Sequence, residues 1–229
     1  MNMPVSKENQ AVIYQKDQWE NYAPLFLSIT TSIQLEVYKA AASQLSGDVA
    51  DFGCGTSKIA PFLADNPAVT SYTGIDYASE MTETAQWVID TIEQPNFKVS
   101  TSKIEAATGR YSSAVSIQSY YAWPDPLQTL KHIHSLLDDN GIFVLATANK
   151  SLQLEILAKE LERELIGHPN LQAYKDYNLQ LAANPDANFV DMEDLTWQAQ
   201  QVGFSIVEAH QQFFNGGLNY LMLKKYSKA

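Results

Sequence analysis

Apolar positions along the chain follow two rhythms. Near the start, Ile29, Ile33 and Val37 recur every four residues, with Ala40 and Ala41 after them, which predicts a helix within the first 45 residues. Pro24 is expected to separate it from a shorter helix carrying Tyr14, Trp19 and Tyr22, and Gly47 ends the pattern. From 48 to 148 short apolar runs alternate with helical spacing. Strands are predicted at 48–52, 71–76, 97–101, 114–118 and 142–147. Helices are predicted at 57–65, capped by Thr56 or Ser57, and at 79–93, with Met81, Ala85, Val88 and Ile92 on one side. Another is predicted at 126–137, ending before the turn Asp139-Asn140-Gly141.

After 150 the rhythm changes. Residues 151–183 read as helical and polar, with Glu155, Lys159, Glu162 and Arg163 marking a solvated face, and Glu160-Leu161-Glu162-Arg163-Glu164 belongs to it. Another helix is predicted at 191–202. A strand pair at 204–212 and 218–226 follows, around Asn215-Gly216-Gly217. Strands alternating with helices imply right-handed crossovers and a parallel sheet. The expectation is one α/β domain: an N-terminal helical lid over 1–46, a ligand-binding core over 47–148, a helical cap over 150–188, and a final helix and strand pair over 189–229.

Composition narrows the function classes. A hydrophobic content of 45% over 229 residues suffices for a sizeable core in one domain. The formal net charge of -11 and the absence of a basic run argue against binding a phosphate backbone, so no nucleic-acid partner is expected. No apolar run approaches the roughly 18 residues of a membrane helix, so no membrane partner is expected. The first residues lack the pattern of a signal peptide. Cys54 is the single cysteine and forms no internal pair. Together these place the protein in the cytoplasm. The oligomeric state is left open.

The chemistry concentrates at the end of the first strand, in Asp51-Phe52-Gly53-Cys54-Gly55-Thr56-Ser57. Ligands of open parallel sheets bind beyond the carboxyl ends of the strands. Gly53 and Gly55 let the backbone turn there and approach a ligand with no Cβ in the way. Asp76 ends the second strand, one strand-helix-strand step later, so two carboxylates are expected across one crevice. A carboxylate in that place can accept two hydrogen bonds from the vicinal hydroxyls of a ribose. A dinucleotide loop would want Gly or Ala where Lys58 stands, and Asp51 would be an awkward neighbour for a pyrophosphate.

On these residues the sequence resembles the class I S-adenosylmethionine-dependent methyltransferases, over about 48–148. The stretch from Val49 to Thr56 looks like the family's first motif, Asp-x-Gly-x-Gly, and that from Tyr72 to Met81 like its second. Ala122-Trp123-Pro124-Asp125, the run from Leu136 to Phe143, and Val202-Gly203-Phe204 resemble later motifs. The resemblance implies a doubly wound, mostly parallel seven-stranded Rossmann-like sheet with a C-terminal antiparallel strand pair and a small helical cap. It implies S-adenosyl-L-methionine as cofactor. Gly53 and Gly55 would pass close to its methionine part, Asp51 would lie near its amino group, Asp76 would hold the ribose, and Tyr77 and Met81 would flank the adenine. Tyr14, Ser102, Lys103, Ile104 and Gln118 complete the implied cofactor set. Three positions depart from the family: Ser57 for the third glycine, where it is expected to cap the helix; Ser102 and Lys103 where an Asp often reads the adenine; and Ser112 for the usual Asp at the start of the fourth strand.

Methyl transfer needs alignment and exclusion of water, and a base only when the nucleophile keeps its proton. No catalytic residue is therefore singled out. An aromatic wall of Trp19, Tyr22, Tyr120, Tyr121 and Trp123 is expected to receive the acceptor, with Tyr174, Tyr177, Phe213 and Phe214 available from the cap and last strands. His132 and His134 are expected to pack away from the site; His168 and His210 are weaker candidates for a base. No spacing of His, Cys and carboxylates suggests a metal. The Asn/Asp-Pro-Pro-aromatic motif of nucleic-acid amino-methyltransferases is replaced by Ser119-Tyr120-Tyr121-Ala122-Trp123-Pro124-Asp125. The expected function is methyl transfer to oxygen or nitrogen of a small metabolite, with an aromatic one suggested by the wall. The alternatives are a cofactor-binding regulatory or partner-binding module without transfer and, more remotely, a nicotinamide-dependent oxidoreductase.

Overall fold

A computed structural model describes residues 16–226. Seven strands form one sheet: β1 Gly47–Phe52, β2 Val69–Asp76, β3 Phe97–Thr101, β4 Tyr111–Ile117, β5 Leu137–Ala148, β6 Phe204–Gln212 and β7 Leu218–Lys225. Their order is β3-β2-β1-β4-β5-β7-β6. The first five run parallel, and β7 lies antiparallel between β5 and β6. The helices are α1 Lys16–Ser28, α2 Ser32–Ser43, α3 Ala60–Ala64, α4 Ser79–Ile92, α5 Pro126–Leu136, α6 Leu154–Glu164, α7 Leu171–Ala182 and α8 Met192–Gln201. This is the doubly wound, mostly parallel seven-stranded sheet implied by the sequence. Among the described residues no helix is long and apolar enough to cross a membrane.

Strand alternation feeds two cores. In β1, Val49 faces a cluster with Val37, Ala41, Leu63 and Ile89 from α2, α3 and α4. Its neighbours Ala50 and Phe52 face a second cluster with Leu130 and Ile133 of α5 and Leu195 and Ala199 of α8. Both sheet faces are thus covered, as a parallel sheet requires. β1 sits between β2 and β4, so the chain crosses over on either side of it and leaves a crevice at its carboxyl end.

Local physics moved several boundaries. Pro24 lies inside α1 and does not end it; its ring removes one helical donor, that to the Glu20 carbonyl, while the neighbours Tyr22 and Ala23 are buried and hold the helix in place. The break comes at 29–31, where Thr31 caps α2 in a capping box with Gln34. Ser57 does not cap a helix. It has φ 55, and α3 starts only at Ala60. The turn Asp139-Asn140-Gly141 is absorbed into β5 as a bulge, with Asn140 at φ 66 and a register shift against β4. On α4 the buried stripe is Met81, Thr82, Ala85 and Ile89, leaving Val88 and Ile92 only partly covered. The helical stretch after 150 splits at Gly167, φ 81, and Pro169. The run 160–164 is tied down: Glu160 accepts from Asn215, Glu162 pairs with Lys175 at 2.7 Å, and Glu164 accepts from Ser32. It joins α6 to α2, α7 and the turn before β7.

Candidate functional site

The site begins with a knot beneath the glycine loop. β1 and β2 are in register with Asp51 beside Gly74. Tyr72, two residues before Gly74 on the same face, sends its hydroxyl to within 2.9 Å of both Asp51 Oδ2 and Ser57 Oγ. A phenol has one proton. It goes to the carboxylate, so the Ser57 hydroxyl donates in return. Gly74 makes room for this: a Cβ there would lie 2.9 Å from the Tyr72 hydroxyl and 3.0 Å from both Cys54 Sγ and Ser57 Oγ. Ser57 thus occupies a glycine-favouring conformation and offsets the strain with a buried hydrogen bond.

Above the knot, Gly53 and Cys54 both donate their N–H groups to the Ile75 carbonyl, at 2.8 and 3.1 Å. This pins the loop across the end of β2. Gly53 has φ 75, and a Cβ on it would stand 2.3 Å from Ser119 Oγ, so the loop and the end of β4 approach closely. The Asp76 carboxylate leans over the loop. Its Oδ2 accepts from Gly55 N–H and its Oδ1 from Ala78 N–H, each at 3.0 Å. Each carboxylate oxygen has two lone pairs, so acceptor capacity remains toward the cavity.

The cavity has a volume of about 730 Å³, a size suited to a small-molecule ligand. Burial pushes the Asp51 carboxyl up to about 7, the Tyr72 hydrogen bond lowering it and the Asp76 charge adding to the rise. Burial also raises Asp76, against its backbone hydrogen bonds. Two carboxylates short of water in one cavity favour a cationic ligand. Lys58 does not offset them fully, because burial lowers it to about 7. Its ammonium donates to the Ile29 carbonyl at 2.5 Å and sits 3.7 Å from the Phe26 ring centre. It holds the α1–α2 junction against the loop.

Most residues singled out in the sequence line this cavity: Asp51, Gly53, Gly55, Asp76, Tyr77, Met81, Lys103, Ile104, Gln118, Trp19, Tyr22, Tyr121 and Trp123. Ser102 and Tyr120 do not. The Ser102 hydroxyl turns to the Lys103 carbonyl, and Tyr120 is buried in the core with its hydroxyl donating to Gln198. Tyr14 lies outside the described residues. Tyr22 stacks on Tyr177 with ring centres 3.9 Å apart, joining α1 to the cap. His132 meets the Ala107 carbonyl, His134 packs edge-on against Phe204, and His210 is exposed beside Glu208, all outside the cavity. His168 accepts from Asn170 N–H in the α6–α7 turn. Among the described residues, no three His, Cys, Asp or Glu side chains are grouped to hold a metal. Missed in the sequence were Phe26, Lys58 as a wall residue, and Ser119, whose hydroxyl accepts from Trp123 Nε1 and donates to the Phe52 carbonyl. Only contacts between distant segments reveal them.

The residues present fit the adenosyl cofactor. Gly53, Cys54 and Gly55 line the cavity, and a Cβ at Gly55 would stand at contact distance from the Phe26 ring, 3.4 Å, and Met81 Sδ, 3.8 Å. Gln118, at φ 56 beyond β4, has a buried Oε1 with no hydrogen-bond partner among the described residues.

Comparison with known proteins bears on the fold and the family. No curated protein matches the sequence. Solved structures share the fold at low identity. The mycolic acid cyclopropane synthase CmaA1 complexed with SAH and CTAB is 15% identical over 93% of this chain and 97% of that one, with a TM-score of 0.68. The cyclase SpnF is 15% identical over 98% of each chain, TM-score 0.68. The magnesium protoporphyrin IX methyltransferase ChlM of Synechocystis PCC 6803 with bound SAH is 18% identical over 86% of this chain and 89% of that one, TM-score 0.62. A family model described as a methyltransferase domain matches residues 31–209. The chain belongs to this family of S-adenosylmethionine-dependent methyltransferases.

Proposed function

We propose that the chain transfers the methyl group of S-adenosylmethionine to oxygen or nitrogen of a small, aromatic metabolite. The observation that carries the reading is the Asp76 carboxylate bonded to Gly55 N–H, which puts the second acid directly over the glycine loop inside one cavity. Asp76 would hold the ribose hydroxyls, Asp51 would lie near the amino group, and Tyr77 and Met81 would flank the adenine. The cofactor supplies an electrophilic methyl on a sulfonium when bound. The chain's part is to hold two carboxylates near that positive charge and to shut out water with Trp19, Tyr22 and Tyr121. Residues 150–188 act as a cap within one domain, built on the 47–148 core. The negative charge and single buried thiol suit a cytoplasmic enzyme of small molecules with no nucleic-acid or membrane partner.

The test is transfer from isotopically labelled S-adenosylmethionine to a broad panel of phenols, amines and carboxylates, read by mass spectrometry. Labelled product with wild type and none with Asp76→Ala supports the reading. Cofactor binding without any labelled product across the panel would favour a binding module, a reading to which the three serine departures at 57, 102 and 112 lend some weight.

A further inference from the structure

A second cavity, of about 740 Å³, opens beneath α6 and α7. It adjoins the first, and the two share Gln34, Gln118, Tyr121, Tyr174, Asn178 and Leu181 among their walls. Its outer wall is α6. Leu154, Leu157, Ala158 and Leu161 line it at the spacing of one helix face. Yet α6 contains no buried residue. An amphipathic helix normally hides such a face against protein; here much of it borders empty space instead.

Among the described residues, the shared wall carries amides and phenols beside Leu181 and Phe214, and no Asp, Glu, His, Lys or Arg. Tyr174 and Asn178 are spoken for, the first accepting from Gln34 and the second donating to the Tyr22 hydroxyl. Gln118 lines both cavities, and its Oε1 is buried with no partner among the described residues, so a turn of the amide toward the boundary would give it a proton donor to accept. Of the charged residues around this cavity, Glu160, Glu164 and Lys175 are engaged with Asn215, Ser32 and Glu162, and Glu36 and Arg163 are exposed.

We propose that this second cavity is the acceptor site and that the acceptor is an uncharged, largely apolar phenol. The assignment rests on the cofactor reading above. The apolar body lies along Leu154, Leu157 and Ala158, and the hydroxyl donates to Gln118 at the boundary with the cofactor cavity. A carboxylate would meet no cation at that boundary. An aliphatic alcohol would meet no base there, whereas a phenol is acidic enough to release its own proton. In the transfer, the acceptor oxygen forms a bond to the methyl carbon as the carbon–sulfur bond breaks. The electron pair of that bond stays on sulfur, leaving a neutral thioether, and the phenolic proton leaves through the second cavity to solvent water at its outer edge, where Glu36 and Arg163 are exposed.

Titration calorimetry on full-length protein, first with S-adenosylhomocysteine alone, then with the saturated protein and para-hexylphenol, para-phenylphenol, decanol or decanoate, tests the assignment. Incubation of each compound with S-adenosylmethionine and mass spectrometry follows. The phenols should bind and yield methyl ethers; decanol should yield no ether, and decanoate should neither bind nor be methylated. Leu157→Trp and Ala158→Phe, which fill the cavity from two positions, should each weaken phenol binding by about tenfold or more and leave homocysteine-product affinity within about twofold. The assignment is overturned if the product binds but no phenol does, if decanol or decanoate is methylated instead, or if both filling variants leave phenol binding intact. Absence of product binding would overturn the cofactor reading itself, and the acceptor site with it.

Discussion

Asp51→Asn should stabilise the ligand-free protein above pH 7 and leave it almost unchanged near pH 4. In the unfolded chain this carboxyl titrates near its ordinary value of 3.8, whereas burial in the fold pushes it up to about 7. The folded state therefore keeps a proton that the unfolded chain has lost between about pH 4 and pH 7. Stability falls as pH rises through that window. Moving one carboxyl from its ordinary value to about 7 corresponds to about 4 kcal/mol, reached in full only above pH 7. At pH 5 about 2 kcal/mol of it is already expressed. Asn cannot ionise, and its side-chain oxygen can still accept the Tyr72 hydroxyl that sits 2.9 Å from Asp51. Urea unfolding of both proteins at pH 5 and pH 8 reads the effect. The advantage of the variant should grow by about 2–3 kcal/mol between the two. An advantage that is the same at both pH values would refute the claim that Asp51 is held in a water-poor site.

Three further outcomes follow from the same geometry. Gly53→Ala must take φ 75 and place a Cβ 2.3 Å from Ser119 Oγ and 2.4 Å from Ser119 Cβ, so no rotamer of Ser119 relieves it; a loss of about 2 kcal/mol or more is expected in thermal melts. Asp76→Ala strips the acceptor from Gly55 and Ala78 N–H; it should cost about 1–3 kcal/mol and remove the rise in melting temperature that a bound cofactor confers. Lys58, lowered by burial to about 7 from 10.5, holds fewer protons folded than unfolded between those values, so wild-type stability should climb with pH from about 7 to 10. Melts of Lys58→Met over that range should show a flatter profile.

The sheet was legible because strand and helix periods differ. The 97–101 strand matches the observed β3, and the other four core strands were found within a few residues, except that β5 begins well before 142. Tertiary context decided the rest. Pro24 stays within α1 because the burial of Tyr22 and Ala23 outweighs one lost backbone bond, which periodicity cannot report. The residue type of Ser57 suggests a cap, but the Tyr72 hydroxyl reaches it from β2 and it sits in a left-handed turn. In the cavity, Asp51, Gly53, Gly55 and Asp76 were visible because they fall at strand ends one crossover apart. Tyr120 was grouped with Tyr121 by adjacency. The short 3-10 turn at Tyr120–Ala122 sends one ring into the core and the next to the cavity. Phe26 and Lys58 had no local signature, since their role depends on the α1–α2 junction folding back over the glycine loop.

The most direct test is titration calorimetry of the wild-type protein with S-adenosylhomocysteine, alongside Asp76→Ala. The structure predicts one ligand per chain for the wild type and binding weakened by at least about a hundredfold in the variant, as two charge-assisted hydrogen bonds are lost. A folded wild-type protein that binds no S-adenosylhomocysteine, or a variant that binds it equally well, would contradict the placement of the cofactor across Gly53, Gly55 and Asp76.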